Sequence, residues 1–296
     1  MSVKNYIKLF IPPILILIKQ KMLNIIKKVE PFVSTIGEIK HDDDTLIVIG
    51  NGPSLTESMK KYKEKLKRKE CIVVNHFCET ELYEGLRPKY YLLADPAYWG
   101  DIDSYVEWKK NKITRFINVF VRKTTWDVNL ILPHHAKGSR FVNTIENNRY
   151  IHVFYYNNSD RQEAKNLSRF DAWDANLIPP PAMTCLNTCV WLGIYLRFKN
   201  IYLIGADTNW LELLRVDQVT NELYTIDSHF YGKVKRQLYS DVAGTVPQRL
   251  PAELKCLSMH FEFYWLLRDY AERTGTCIYN ASEYSLIDAF ERKKLD

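Results

Sequence analysis

The chain reads TLIVIGNGPSL over residues 45–55, and this stretch carries its clearest structural signal. The apolar run Leu46–Ile49 predicts a first β-strand, and GNGPS at 50–54 predicts a tight turn before a helix that starts near Ser54. Backbone N–H groups at such a turn form a concave, positive site that suits phosphate. The spacing matches neither the dinucleotide fingerprint nor the P-loop. It indicates either a nucleotide-phosphate site of another kind or an ordinary strand–turn–helix corner.

Apolar segments alternate with helical patterns along the rest of the chain. Further strands are predicted at Cys71–Asn75, Tyr90–Ala94, Phe116–Val121, Ile151–Tyr155, Ile201–Ile204 and Cys277–Tyr279, and helices at 54–69, Thr184–Arg197 and Phe261–Arg273. This order predicts an α/β fold, a Rossmann-like, mostly parallel sheet with helices on both faces. We expect an N-terminal anchor and linker over 1–40, a Rossmann-like domain over 41–296, and a small lid within it at about 208–250.

The first residues differ in character from the rest. LFIPPILILI at 9–18 is an apolar run flanked by lysines, too short for a membrane span, which needs about 20 residues. Pro12 and Pro13 interrupt any helix here, and no small-residue cleavage site follows, which argues against a signal peptide. The segment is typical of an interfacial anchor on an acidic membrane surface, although a helix packed on the domain would also fit. The predicted location is cytoplasmic, peripheral to the inner face of the cytoplasmic membrane.

Composition narrows the class of protein. At 296 residues, with 46% apolar and 26% charged side chains, the chain suits one large globular domain with appendages. Its net charge of +6 fits an anionic ligand or an acidic membrane surface better than dedicated nucleic-acid binding, so no nucleic-acid partner is expected. None of the six cysteines has CxxC or zinc-ligand spacing. We therefore predict free thiols in a reducing compartment and no metal site.

Polar side chains follow four of the predicted strands. These strand ends are Gly50-Asn51-Gly52, Asn75-His76, Asp95-Pro96 and Gly205-Ala206-Asp207. Asn and Asp are common turn formers, so each position alone is weak support for a site. In parallel sheets, however, ligands bind beyond the carboxyl ends of the strands. Together the four ends predict a nucleotide or sugar site at that edge of the sheet.

Longer blocks of sequence carry a family resemblance. They are IVIGNGPSL at 47–55, VVNHF at 73–77, RPKYYLLADP at 87–96, KNIYLIGAD at 199–207, SHFYG at 228–232 and CIYNASEYSLIDAF at 277–290. With these blocks in this order, the chain resembles the bacterial sialyltransferases of glycosyltransferase family 42. It also resembles the related DUF115 (MptE-like) domain, which occurs in motility-associated flagellin glycosyltransferases. The resemblance implies a GT-A-variant fold and a CMP-activated sugar donor, with no required metal or cofactor.

Taken position by position, the resemblance also implies a set of binding residues. The donor nucleotide would lie near Gly50, Asn51, Gly52, Pro53, Ser54, Asn75, Asp95, Pro96, Thr184, Gly205, Asp207, Asn280, Ala281 and Ser282. Within this set, Asn51 and Gly52 would lie near phosphate and ribose, and residues 280–282 in a late loop that contacts cytidine. Asp95 stands where the sialyltransferases have asparagine before their proline.

His229 matches the general base of the resembled family. An inverting transfer needs a base that takes the proton of the acceptor hydroxyl, and a histidine is suited to that task near neutral pH. The segment 227–232 is loop-like in sequence, which favours a mobile lid, although a surface or capping histidine is the alternative. Tyr224 and Tyr231 are candidates to donate hydrogen bonds to the leaving phosphate.

Several positions depart from the sialyltransferase pattern. Ala182 stands in place of an arginine, Cys185-Leu186 in place of Ser-Gly, and Asn209, followed by Trp210, in place of a tyrosine. The missing arginine leaves recognition of a donor carboxylate open. The donor sugar could therefore be sialic acid, another nonulosonic acid, Kdo or a different sugar. Lys137, Arg140, Arg215 and Arg236 are the candidates for a replacement cation.

Together with the site residues, the resemblance implies a metal-independent, inverting glycosyltransferase. It would move a nonulosonic-acid-like or Kdo-like sugar from a CMP-activated donor to a cell-surface glycan, such as a lipopolysaccharide or capsule precursor. The expected partners are the nucleotide sugar, a glycan or lipid-linked glycan acceptor, the membrane surface and a second copy of the chain. Two alternatives stay open. One is an MptE-like, Mg²⁺-dependent pyrophosphokinase that uses Asp95 and Asp207. The other is a nucleotide-binding scaffold without catalysis.

Overall fold

The computed structural model describes residues 34–181, 183–230, 232–241 and 244–295, and of 227–228 only the backbone. The predicted membrane anchor lies almost wholly outside these residues and stays a prediction, as does the boundary at residue 40. None of the helices in the described ranges is long and apolar enough to cross a membrane.

The described residues form eleven β-strands and eight α-helices. The strands are β1 Thr45–Ile49, β2 Glu70–Val74, β3 Tyr90–Leu92, β4 Val128–Pro133, β5 Ile151–Tyr156, β6 Asn200–Ile204, β7 Leu214–Val216, β8 Leu223–His229, β9 Gly232–Gln237, β10 Cys277–Asn280 and β11 Glu291–Arg292. The helices are α1 Leu55–Leu66, α2 Leu82–Leu86, α3 Glu107–Lys123, α4 Arg140–Ile145, α5 Arg169–Asp174, α6 Cys185–Tyr195, α7 Trp210–Leu213 and α8 Leu250–Thr274. Short 3₁₀ turns join several of these elements.

Eight of the strands form one parallel sheet in the order β11-β10-β6-β1-β2-β3-β4-β5. The chain builds outward from β1 to β5, then returns to the other side of β1 to add β6, β10 and β11. The strand order therefore reverses between β1 and β6, which is where open α/β sheets bind their ligands. This arrangement confirms the predicted Rossmann-like parallel sheet.

Helices cover both faces of the sheet. Helices α1 to α4 contribute to one apolar cluster, and α5, α6 and α8 contribute to the other. Strand β1 alternates between the two clusters and is buried on both sides, so its sequence reads as a continuous apolar run. Every residue from Cys185 to Ile194 is buried in α6, which accounts for that helix having no charged side chain. The core thus holds the ends of β1, β2 and β6 in fixed positions.

One predicted strand is wrong. The segment Phe116–Val121 lies inside α3, and the fourth strand of the sheet is Val128–Pro133. Within α3, the buried side chains Ile113, Phe116 and Phe120 recur every three or four residues, which is the spacing of a helix face. The local run of apolar residues hid this longer period. Helix α8 also begins well before its predicted start at Phe261.

The region 208–250 contains a separate three-stranded antiparallel sheet, β7-β8-β9. The expectation of a loop over 227–232 is wrong, because residues 227–229 end strand β8 and His229 pairs with Gly232 at the start of β9. The hairpin tip therefore carries His229 and Phe230 at a defined place in the fold. Movement of this region as a lid stays a prediction.

Candidate functional site

The turns after β1 and β6 pack directly against each other at the point where the strand order reverses. The N–H of Gly50 donates to the carbonyl oxygen of Ile204, and the N–H of Gly52 donates to that of Gly205, both at 2.8 Å. A Cβ atom at Gly50 would clash with the Gly205 carbonyl, and one at Gly52 would clash with the carboxylate of Asp207. The glycines of this motif are therefore required for the close approach of two backbone turns.

Asp207 ties the turn after β6 to the start of α1. Its Oδ2 accepts from the N–H of Ser54 at 3.0 Å, and its Oδ1 accepts from the Ser54 hydroxyl at 2.5 Å. Burial raises the pKa of this carboxyl group, while the hydrogen bonds from Ser54 oppose that shift. A carboxylate at a helix N-terminus fills the position that favours an anion. The expectation that the Ser54 N–H is open to a phosphate is thereby corrected, since Asp207 already binds it.

A cleft of about 80 Å³ lies beyond the carboxyl ends of β1, β2 and β6. The structure brings seven of the predicted site residues to its walls: Asn51, Gly52, Asn75, Thr184, Gly205, Asp207 and His229. The cleft is also lined by Val74, Cys185, Leu186, Thr208, Asn209 and Trp210, which the sequence did not assign to the site. Residues from three of the four predicted strand ends, far apart in the chain, thus meet in one cleft, whereas Asp95 and Pro96 of the fourth do not line it.

The backbone of Asn51 holds the hairpin tip against the cleft. Its carbonyl oxygen accepts from the N–H of Phe230 at 3.1 Å and lies 3.3 Å from Nδ1 of His229. A carbonyl can only accept, so this contact requires the proton on Nδ1 and makes Nε2 the basic nitrogen of the neutral ring. That is the tautomer a general base needs.

The side chain of Asn51 presents a second polar feature. Its Nδ2 donates to the carbonyl oxygen of Val74 at 3.2 Å, which fixes the orientation of the amide. Its Oδ1 is buried and has no hydrogen-bond partner among the described residues. Because a buried acceptor left unpaired is costly, this atom is suited to accept from a ligand in the cleft.

Two residues of the cleft adopt left-handed backbone conformations. Asn75 has φ of +52° and Thr208 has φ of +51°. Such a conformation is strained for a β-branched residue, and strain of this kind clusters at functional sites. Oδ1 of Asn75 accepts from the Cys185 thiol at 3.2 Å. Burial raises the pKa of Cys185 to about 12, so this thiol stays protonated and is unsuited to act as a nucleophile.

The late loop braces the turn after β6. Nδ2 of Asn280 donates to the carbonyl oxygen of Ile287 at 3.2 Å, and its Oδ1 accepts from the N–H of Ser282 at 3.2 Å. Oγ of Ser282 accepts from the N–H of Ala206 at 3.0 Å, while the N–H of Ala281 donates to the Leu203 carbonyl. Residues 280–282 do not line the cleft in the described structure, and their polar atoms position its wall.

Other predicted residues take structural roles near the site. Asp95 is exposed and accepts from the N–H of Ala97 at 2.8 Å, so it caps the short turn that begins at Pro96. Thr184 caps the N-terminus of α6 and also lines the cleft. In the part of the chain that the structure covers, the cleft walls do not include Gly50, Pro53, Ser54, Asp95, Pro96 or Tyr224. Tyr231 and Ala182 lie outside the described residues.

Tyr224 and two candidate cations, Arg215 and Arg236, do not line the cleft. The Lys235 ammonium lies 4.1 Å from the centre of the Tyr224 ring. Arg215 donates to the carbonyl oxygens of Glu212 and Leu214, each at 2.7 Å. Arg236, by contrast, lines a second pocket of about 200 Å³ that shares Thr184 and Trp210 with the cleft. Of these two arginines, the structure therefore brings Arg236 to a pocket beside the cleft.

A third and larger pocket, of about 720 Å³, lies on another side of the hairpin tip, where Phe230 lines it. Glu79 in its wall accepts from Arg115 at 3.0 Å and lies 3.3 Å from Nδ1 of His76. Burial pushes the pKa of Glu79 upward, but the hydrogen bonds from His76 and Arg115 outweigh it and lower the pKa to about 2. The hairpin tip thus touches two pockets, with His229 in the cleft and Phe230 in the larger one.

Within the described ranges, no group of three or more His, Cys, Asp and Glu side chains is arranged to hold a metal ion. The two carboxylates considered for a magnesium site, Asp95 and Asp207, also have different places and partners. Asp207 lines the cleft and binds Ser54, whereas Asp95 is outside the cleft walls and caps its own turn.

Comparison with known protein families assigns this α/β chain to a family. Residues 19–212 match the family described as 6-hydroxymethylpterin diphosphokinase MptE-like, and the chain belongs to that family. This match confirms the DUF115 (MptE-like) part of the resemblance seen in the sequence. No curated protein matches the chain.

A solved structure is also similar to the chain. It is the MAf glycosyltransferase from Magnetospirillum magneticum AMB-1, with 13% sequence identity and a TM-score of 0.46. The alignment covers 84% of this chain and 33% of that one, so the chain spans about a third of the length of that protein.

Proposed function

We propose that the protein is an inverting glycosyltransferase that uses a CMP-activated nonulosonic-acid-like or Kdo-like sugar and needs no metal ion. The observation that carries this proposal is the placement of His229 in the cleft beside Asn51, with Nδ1 against a carbonyl oxygen. The sequence blocks that resemble those of sialyltransferases, and the position of the cleft where the strand order reverses, support a nucleotide sugar as the ligand.

In this proposal the cleft binds the nucleotide and His229 acts on the acceptor. Nε2 of His229 takes the proton of the acceptor hydroxyl while that oxygen forms a bond to the anomeric carbon of the donor. The bond between the anomeric carbon and the phosphate oxygen breaks, and CMP leaves with the electron pair. A single displacement of this kind inverts the configuration at the anomeric carbon.

The cleft has to widen before a nucleotide sugar enters it. Its volume of about 80 Å³ is well below the 300–1,000 Å³ of typical small-molecule sites. The hairpin tip closes one wall through the contacts of His229 and Phe230 with the Asn51 carbonyl. We propose that the β8–β9 hairpin is the lid, and that these two contacts break when it opens. The larger pocket beside Phe230 is then the place for the acceptor.

The N-terminal segment gives the proposal a location. An interfacial anchor in residues 1–30 would hold the enzyme at the inner face of the cytoplasmic membrane and raise the effective concentration of a lipid-linked acceptor. Deleting residues 1–30 is expected to abolish co-sedimentation with anionic vesicles while nucleotide binding is retained. A deletion variant that still sediments with vesicles would contradict the anchor.

Calorimetric titration with CMP, CDP, UDP, GDP and ATP, each in EDTA and then in Mg²⁺, tests the proposal directly. Selective CMP binding that is insensitive to Mg²⁺ is the expected result. Binding of ATP that requires Mg²⁺ would overturn it. Nucleotide binding without transfer from any CMP-sugar would favour a scaffold without catalysis.

A second candidate function follows from the family's description. An MptE-like diphosphokinase would transfer diphosphate from ATP with Mg²⁺, and Asp95 and Asp207 were the candidate metal ligands. The contacts of these carboxylates make this the weaker candidate. Both oxygens of Asp207 bind Ser54, and Asp95 is outside the cleft walls.

A further inference from the structure

The second pocket lies between one face of α8 and one face of the three-stranded sheet. On α8, Glu253, Cys256, Leu257 and His260 line it at helical spacing. On the sheet, Leu214, Thr225 and Arg236 are direct cross-strand neighbours and form a row that faces the same space. A row of residues on one helix face and a row across the strands thus give this pocket of about 200 Å³ two regular walls.

Two buried polar atoms in these walls have no hydrogen-bond partner among the described residues. They are Nε2 of His260 and Oγ1 of Thr225, on side chains whose residues are only 2% and 3% exposed. Buried polar groups are ordinarily paired, so two orphans in one pocket call for an explanation. A ligand that brings hydroxyl groups would pair both.

The hydrogen bond at Nδ1 of His260 determines which of its two ring nitrogens carries the proton. Nδ1 lies 2.8 Å from the amide oxygen Oδ1 of Asn187, which can only accept, so Nδ1 carries the proton. Burial lowers the pKa of His260 to about 4, and the ring is neutral at physiological pH. Its Nε2 is therefore a hydrogen-bond acceptor, on a side chain that lines the pocket, and no described residue donates to it.

The rest of the wall suits a sugar acid. Arg236 offers a guanidinium, which binds carboxylates in a bidentate manner, and Glu253 offers acceptor oxygens for hydroxyls. Trp210 lines both this pocket and the cleft, and its ring centre is 5.3 Å from that of His260. A ligand with its phosphate in the cleft would reach this pocket past Trp210 and Thr184.

We infer that this pocket binds the sugar-acid part of the donor. Arg236 pairs with its carboxylate, and His260 and Thr225 bond its hydroxyls. The choice of a donor sugar rests on the proposed function, whereas the need for a polyhydroxylated ligand rests on the pocket alone. Arg236 thereby takes over the task of the arginine that Ala182 replaces in the sequence.

Free monosaccharides test the pocket separately from the nucleotide. The full-length protein is titrated with N-acetylneuraminic acid, Kdo and methyl galactoside by saturation-transfer NMR, with and without saturating CMP. We expect the two sugar acids to bind, and CMP not to displace them. Arg236→Gln should weaken the acids at least fivefold, and Thr225→Val should weaken every sugar that binds. Lys233→Gln removes the same charge from the opposite face of β9 and should change nothing.

The outcomes separate this inference from the proposed function. Absence of sugar binding to the wild-type protein, or unchanged affinity in both Arg236→Gln and Thr225→Val, overturns the inference. Displacement of the sugars by 6-hydroxymethylpterin also overturns it. Sugar binding that depends on Arg236 and Thr225, together with a failure to bind CMP, supports the pocket and refutes the proposed CMP-sugar transferase. Arg236 is exposed, so its substitution leaves the core intact and keeps the test valid if Thr225→Val unfolds.

Discussion

The glycine corner between β1 and β6 and the pocket between α8 and the small sheet differ in how their polar groups are paired. At the corner, Gly50 donates to the last residue of β6, Gly52 and Ser54 donate to the turn that follows it, and Asp207 is bonded through both of its oxygens. In the pocket, His260 and Thr225 each keep a buried atom that has no partner in the part of the chain that the structure describes. Apart from Asn51, the clearest motif in the sequence thus serves packing, while other groups with unmet bonding capacity lie in the pocket. Changes at the corner should affect stability, and changes at unpaired groups should affect ligand binding or turnover.

The largest effect is expected at the hairpin tip. There, His229 ends strand β8 of the small sheet and contacts Asn51 of the glycine corner. His229→Ala should lower kcat by about 10²–10⁴-fold, because the acceptor hydroxyl loses its base. Its CMP affinity should stay near that of the wild type, measured by calorimetry beside a transfer assay. His152→Ala is the matched control, since His152 lies on edge strand β5 and bonds to Asp127. An unchanged kcat in His229→Ala would exclude the base role.

The corner is tested by Gly52→Ala. The new Cβ would clash with the Asp207 carboxylate and the Gly205 carbonyl, so the variant should lose about 1–3 kcal/mol of unfolding free energy. Urea denaturation measures this loss. Gly85→Ala is the control, because a Cβ at Gly85 meets no atom within 4 Å and alanine favours a helix. Equal stability of the two variants would show that the corner tolerates a wider separation of its turns.

Asn51 and Asn280 compare an unpaired amide with a paired one. Asn51→Ala removes an Oδ1 that no described residue bonds. The variant should weaken CMP binding by about tenfold, which corresponds to roughly one hydrogen bond. Asn280→Ala removes an amide that is bonded to Ile287 and Ser282 and should lower stability with little change in CMP affinity. Calorimetry and thermal unfolding of both variants measure the two effects. A loss of CMP affinity in Asn280→Ala would instead support the prediction that Asn280 contacts cytidine.

Sequence reasoning found the sheet and the cleft because both depend on local signals. Apolar runs such as Leu46–Ile49 mark buried parallel strands, and the strand-end rule then brings Asn51, Asn75 and Asp207 together. The α8 pocket gave no such signal. Thr225 and His260 are far apart in the chain and come together only because the small sheet and α8 form walls of the same pocket. Which polar groups remain unpaired also depends on tertiary contacts. The sequence therefore could not separate the structural role of Ser54 from the binding role proposed for Asn51.

The smallest expected effect is a pH dependence that arises at Asp207. Burial raises the pKa of this carboxyl group in the folded protein above its unfolded value of about 3.9. The folded state then binds more protons than the unfolded state between these two pKa values, so this group's contribution to stability is full below the unfolded pKa. That contribution is lost as the pH rises through the folded pKa. Asp207→Asn keeps the size of the side chain but cannot titrate, and should therefore remove this fall from a series of urea denaturations between pH 3 and pH 7. An increase in stability of the wild type over the same range, lost in Asp207→Asn, would mean that the bonds from Ser54 outweigh burial. The corner would then favour the carboxylate in its charged form, as a helix N-terminus does for an anion.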